Sequence, residues 1–182
     1  VSAPDSTPEP DRRTAVLDSA MRTFARNGYR ATSMDAIARD AKISRPGLYF
    51  LFSTKESLFR EAVTRTLTED LTAIEAVLAD PATPLADRLL AAFDRWAGRY
   101  VGPMAQDIPA VIADNPDLLD EVATSAPDRF ATLLHHALAQ ESPRAHDIAA
   151  TLTSVSVGLK HQVQTRDTYL DRMRTAIDLL TP

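Results

Sequence analysis

The chain has 182 residues, 45% of them apolar, enough to bury a core without staples. It has no cysteine, which excludes disulfides, thiolate metal sites and cysteine nucleophiles together, and no run of about 18 apolar residues that could span a membrane. The formal charge of −5 is uneven: residues 1–60 carry ten Lys or Arg against seven Asp or Glu, whereas residues 61–182 carry ten against eighteen. That asymmetry fits either a part that meets a polyanion or plain solvated helix faces.

Residues 1–10, VSAPDSTPEP, hold three prolines and little apolar matter, and read as a disordered arm. From Asp11 a helical pattern begins, with Leu17, Ala20, Met21 and Phe24 on one face and Asn27-Gly28 as a left-handed stop. Ser33 is placed to cap a short amphipathic helix carrying Met34, Ile37, Ala38 and Ala41. Ser44 caps another, Arg45 to about Leu51, with Pro46 in its first turn where a missing N–H costs nothing. Ser53 and Glu56 have capping-box spacing at the head of a long helix that Asp80-Pro81 ends. Thr83-Pro84 opens the next, which Gly102-Pro103 stops, and residues 105–113 form a short helical piece. A longer pattern starts at Asn115-Pro116, with a kink or break expected at Pro127. Two more helices follow Ser142-Pro143 and Thr165. The expected fold is all-α, about nine helices and no strand.

Two short helices with a tight link, a helix before them and a long one after, make a helix-turn-helix candidate over residues 11–57. The second short helix, 45–51, would enter the major groove N-terminal end first. Arg45 stands at its tip, where a guanidinium can bond bidentately to guanine. Pro46 and Gly47 keep the flank slim, Leu48 and Phe52 point back into the core, and Tyr49 can offer its hydroxyl to a phosphate. Lys55, beside the free N–H groups of the long helix, is a phosphate candidate, as are Thr32 and Ser33 at the first short helix.

Residues 12–60 resemble the DNA-binding domain of the TetR family of bacterial transcriptional regulators. The matching pieces are Ala20, Phe24, Gly28-Tyr29, Thr32-Ser33-Met34, Ile37-Ala38, Ala41, Ile43-Ser44, Gly47-Leu48-Tyr49, Phe52 and Lys55-Glu56-Leu58. The resemblance implies a dimeric, all-helical repressor whose larger domain, here residues 58–182, binds a small molecule that alters the spacing of two recognition helices. It also implies DNA-facing roles for Thr32, Ser33, Lys42, Ser44, Arg45, Pro46, Gly47, Tyr49, Phe50 and Lys55. Two positions depart from the family pattern. Lys42 stands where Gly is usual, and Phe50-Leu51-Phe52 lacks the usual histidine, which removes one hydrogen bond to DNA at Leu51.

Ile148, Leu152, Val155 and Leu159, then Leu170, Met173, Ile177 and Leu180, form two apolar seams at helical spacing. Meeting their twofold mates, they would make a four-helix dimer bundle; otherwise they face the subunit's own core. The expected interface residues are Leu152, Val155, Leu159, Leu170, Met173 and Ile177. Phe93, Trp96, Tyr100, Met104, Ile108 and Phe130 serve as core or as the wall of an apolar ligand cavity, with His135 as a polar contact.

The histidines lack metal-site spacing, and neither a Ser-His-Asp order nor a Gly-rich phosphate loop stands out, so no metal, cofactor or enzymatic activity is expected. No basic head and apolar block mark a signal peptide, and a cytoplasmic protein without a membrane partner is expected. The leading function is a ligand-responsive repressor binding a palindromic double-stranded operator as a homodimer. The competing one is a helical interaction protein with a degenerate DNA-binding head, supported by Lys42 and Leu51.

Overall fold

The apolar periodicity resolves into eight α-helices and no strand among the residues described, 9–103 and 116–181, in a computed structural model. In chain order they are α1 (Glu9–Asn27), α2 (Met34–Asp40), α3 (Arg45–Leu51), α4 (Lys55–Leu78), α5 (Leu85–Trp96), α6 (Glu121–Ala139), α7 (Ala145–Gln162) and α8 (Arg166–Leu180). Single 3₁₀ turns lie at Gly98–Tyr100 and Pro116–Leu118. Of the arm expected at residues 1–10, Glu9 and Pro10 are already in α1; residues 1–8 and the short helical piece expected at 105–113 lie outside the described residues.

Local chemistry sets most boundaries. Ser33, Ser44, Asp120 and Thr165 each accept a backbone N–H three residues on, relieving an orphan donor of the following helix. Gly28 follows α1 at φ 80°, the left-handed stop expected of it. The box at the head of α4 is one residue later than its spacing suggested: Thr54 caps and Ser57 reciprocates. Glu56 instead accepts the Tyr29 hydroxyl at 3.3 Å. Pro127 breaks nothing, because α6 runs through it from a fresh start at Glu121. Leu118 does not belong to that helix either; it sits in the preceding 3₁₀ turn.

Two cores result. In the head, α1–α3 close over the start of α4 around Phe24, Tyr29 and Phe59, whose rings meet at 4.8–5.7 Å. Leu48, Phe52, Leu58 and Ala62 join that core, and so does Leu118 from far along the chain. In the body, α4–α8 pack around Leu71, Ile74, Phe93, Phe130, Leu134 and Tyr169. At 24 residues, α4 is about 36 Å long and belongs to both cores.

The body core also absorbs the two seams expected at a dimer interface. Leu152, Met173 and Ile177 are fully buried and Leu159 is 8% exposed, all within one subunit. Val155 and Leu170 are half-buried against the same cluster. A four-three spacing states that one helix face is buried, not by what, and here α7 and α8 spend those faces on the body. The apolar side chains they leave in solvent are Val157 and Leu179, 48% and 80% exposed.

Head and body are joined beyond α4. Arg60 donates to the carbonyls of Leu118 and Asp117 at 3.2 and 2.6 Å, and the Thr64 hydroxyl donates to Asp120 at 2.5 Å. These bonds strap the 3₁₀ turn and the N-terminus of α6 to the flank of α4.

Candidate nucleic-acid interface

Helix α3 has only seven residues, too few to stand alone, and it is pinned at both ends. At its start the Ser44 hydroxyl accepts the Gly47 N–H at 3.1 Å. A Cβ on Gly47 would lie 3.1 Å from that same oxygen, so glycine here leaves room for the cap as well as a slim flank. At its end Arg13 donates to the Leu51 carbonyl at 3.0 Å, stacks over Phe52 at 4.3 Å and pairs with Glu61 of α4 at 2.5 Å. Leu48 is fully buried underneath. Held this way, α3 turns Arg45, Pro46, Tyr49 and Phe50 to solvent, with Phe50 83% exposed.

Arg45 is not idle. Its Nε and Nη1 lie 3.1 and 3.2 Å from the two carboxylate oxygens of Asp35 on α2, and its guanidinium sits 5.6 Å from the Tyr49 ring. Both charges are more than half exposed, so the pair is worth about 0–1 kcal/mol and can exchange for a base edge or phosphate. Until then it holds the guanidinium in one direction. Lys42, in the turn, has φ 54° and is exposed. The left-handed geometry that favours glycine is therefore met by a cation on the outer surface. Ser33 and Ser44 are exposed at their caps, their oxygens facing backbone N–H groups.

Two expected phosphate contacts are spent elsewhere. Thr32 is 2% exposed, and its hydroxyl donates to the Gly28 carbonyl at 2.7 Å. Lys55 turns inward: its ammonium donates to the carbonyls of Tyr29 and Thr32 at 3.1 and 3.2 Å and lies 4.3 Å above the Tyr29 ring. Those carbonyls end the α1–α2 link, so Lys55 ties that link to α4 rather than reaching outward. Leu51 is half-buried against the head core. Arg12 is a residue the sequence reading passed over. Its guanidinium lies within 3.5 Å of where a Gly47 Cβ would stand, next to the exposed start of α3. The Arg12-Arg13 pair opening α1 was the available signal.

The expected ligand residues divide. Trp96 and Tyr100 line a small cavity of about 140 Å³ with Met21, Phe59, Val63 and Leu67. A second cavity of about 380 Å³ shares Met21, Thr66 and Tyr100 with it and is lined by charged side chains, among them Arg22, Asp70, Arg95 and Arg99. Phe93 and Phe130 are core: both are buried, at 5.3 Å edge to face, and Trp96 stacks on Phe130 at 4.5 Å. His135 does not face either cavity. It sits beside His136 and His146, ring centroids 6.0 and 6.3 Å away, where α6 meets α7. Among the described residues no His, Asp or Glu cluster is placed to hold a metal ion. Met104 and Ile108 lie outside the described residues. No described helix is long and apolar enough to cross a membrane.

Comparison with known proteins adds four similarities. Residues 16–62 match the family described as bacterial regulatory proteins, tetR family. Over 59 residues the chain is 39% identical to the HTH-type transcriptional regulator YhgD of Bacillus subtilis, spanning 32% of this chain and 31% of that one. Over 48 residues it is 33% identical to IcaR of Staphylococcus aureus, a negative transcriptional regulator of the biofilm operon icaADBC, spanning 26% of each. The chain thus spans a third or less of the curated relatives it matches. In fold, it superposes on a transcriptional regulator from Saccharomonospora viridis solved in complex with choline, with TM-score 0.74 and 19% identity over 93% of this chain and 97% of that one.

Proposed function

We propose that this chain, whose residues 16–62 match the tetR family of bacterial regulatory proteins and whose fold is that of a solved transcriptional regulator, acts as a ligand-released repressor. Two copies would each place α3 in a major groove of a palindromic operator, about 34–36 Å or a small multiple apart. The observation that carries this reading is the posture of α3: capped at Ser44, clamped by Arg13 at its end, buried along Leu48, and exposing Arg45 at its tip. Arg45 is assigned to a base edge. Ser33, Lys42, Ser44, Tyr49 and Arg12 surround it as phosphate and sugar contacts, with Pro46, Gly47 and Phe50 fitting the groove wall.

Release would use the joints between head and body. Arg60 and Thr64 link α4 to the turn and helix start at 117–120, so a ligand that moves those parts moves α4 and with it α3. A preference of a few kcal/mol for one arrangement suffices. Pairing of copies is assigned to the outer faces of α7 and α8, where Val157 and Leu179 are exposed. The negative regulator IcaR and the choline-bound S. viridis protein support repression and ligand binding by analogy.

The test is a footprint on DNA flanking the protein's own coding region, at two salt concentrations. Protection of a two-fold symmetric site, weakened by salt, is expected; no protection at any symmetric site, or salt-independent retardation of all duplexes alike, contradicts the reading. Sedimentation of the Leu179→Glu protein tests the pairing: a folded dimer that survives the substitution removes that face from the interface.

A further inference from the structure

The two adjoining cavities lie at the seam where α1 of the head crosses α4, α5 and the 3₁₀ turn of the body, not inside the body core. We propose that this seam binds an amphipathic organic anion, a carboxylate with a short apolar tail. The proposal rests on the effector-released reading above and names the effector's class and place.

The charged part of the seam is built around Asp70, which is 4% exposed on the otherwise apolar inner face of α4. Arg95 and Arg99 both donate to its Oδ1, at 3.0 and 2.9 Å, and the Tyr100 hydroxyl donates to Oδ2 at 2.5 Å. Burial and the Asp70 charge push the Tyr100 phenol well up, so it stays a neutral donor. One carboxylate therefore serves two guanidiniums. Each guanidinium has five N–H groups, and the two side chains line the cavity and are 39% and 43% exposed. Unused N–H donors remain there. The other two carboxylates on the wall, Asp18 and Glu69, face Arg65 at 3.5 and 2.7 Å and so do not take up those donors. A second carboxylate, taken bidentately, completes the set.

The smaller cavity supplies the other half of the recognition. Phe59, Val63, Leu67, Trp96 and Leu119 surround it, and Tyr100 marks the border between the apolar and charged parts. An anion seated this way reaches the head directly. Arg22 of α1 lines the charged part, donates to Ser19 at 2.9 Å and stands 3.9 Å from Asp40 at the end of α2. Ser19 itself donates to Asp40 at 3.1 Å. Drawing Arg22 towards a bound carboxylate loosens α2 from α1, and α2 carries Asp35, the partner of Arg45.

Trp96 is the chain's single tryptophan and lines the apolar part, so its fluorescence reports occupancy directly. The purified full chain is titrated with octanoate, octanol and octyltrimethylammonium. Octanoate is expected to bind at least about ten-fold tighter than either counterpart. Arg99→Gln should weaken octanoate about ten-fold while leaving octanol unchanged. Asp70→Asn keeps the shape, removes the competing charge and should tighten octanoate; this opposite sign keeps the test sharp if Arg99→Gln does not fold, which thermal melts will show. Octanol or the ammonium matching octanoate overturns the proposal, as does weaker octanoate binding by folded Asp70→Asn. DNA retardation that persists while octanoate leaves Trp96 unchanged overturns the anion site alone. Absence of any retardation, with octanoate bound as expected, strikes the DNA-binding reading and leaves the anion site standing.

Discussion

Lys55 offers the sharpest division between a packing role and a DNA role. Replacing it with methionine keeps the stem and removes the ammonium. Two charge-assisted bonds to the carbonyls of Tyr29 and Thr32 are lost, and so is the contact 4.3 Å above the Tyr29 ring. Bonds to charged groups are worth about 1.5–3 kcal/mol each when shielded, and less where water competes. The ring contact adds about 0.5–1 kcal/mol. Since Lys55 is half-buried and water can reach the abandoned carbonyls, the net loss should be about 2–3 kcal/mol. For a chain of this size that lowers Tm by about 4–12 °C. Thermal unfolding followed by circular dichroism measures it, alongside the salt dependence of DNA binding. A Lys55→Met protein that melts like the parent but shows a flatter salt slope would refute the reasoning and return Lys55 to the phosphate backbone.

Lys42→Gly should stabilise the head by up to about 1 kcal/mol, because a lysine at φ 54° carries strain that glycine lacks. The same change should weaken DNA binding, if the cation offsets the strain when the operator is bound; denaturant midpoints and gel shifts read the two effects separately. At alkaline pH, burial raises the phenols of Tyr29 and Tyr169 from 10 to about 12. The folded state thus prefers the neutral phenol more than the unfolded chain does. That stability is intact below about pH 10 and is lost as pH rises towards 12, roughly 3 kcal/mol for the fully buried Tyr169. Base titration should show unfolding in that window, and Tyr169→Phe should move it upward; an unchanged midpoint would refute the assignment.

The head was legible because its signals are local. Ser33, Ser44 and Pro46 act within one turn, and the spacing of Met34, Ile37, Ala38 and Leu48 is enough to show which way the short helices face. The same locality explains the misplacements. Ser53-Thr54 offers two adjacent capping hydroxyls, and only the register of Ser57 in the fold selects Thr54. Lys55 looks like an exposed polar residue until the α1–α2 link brings its carbonyls to it across 23–26 positions, and Thr32, within that link, turns its hydroxyl back to the Gly28 carbonyl. Leu152, Met173 and Ile177 have a period that a dimer seam and a subunit core share. The charged seam depends on Asp70 meeting Arg95, Arg99 and Tyr100 at a separation of 25–30 residues. Its one visible sign was a carboxylate between Leu67 and Leu71 on the apolar stripe of α4.

The most direct test of the whole account compares binding of the parent and Arg45→Ala proteins to a panel of duplexes, each with one base pair of the protected site changed. The account predicts that the substitution erases discrimination at one G·C pair in each half-site, costing about 1–3 kcal/mol there and little elsewhere. Discrimination that survives intact at every position, in a folded protein that still binds DNA, would show that α3 does not read the groove through its tip.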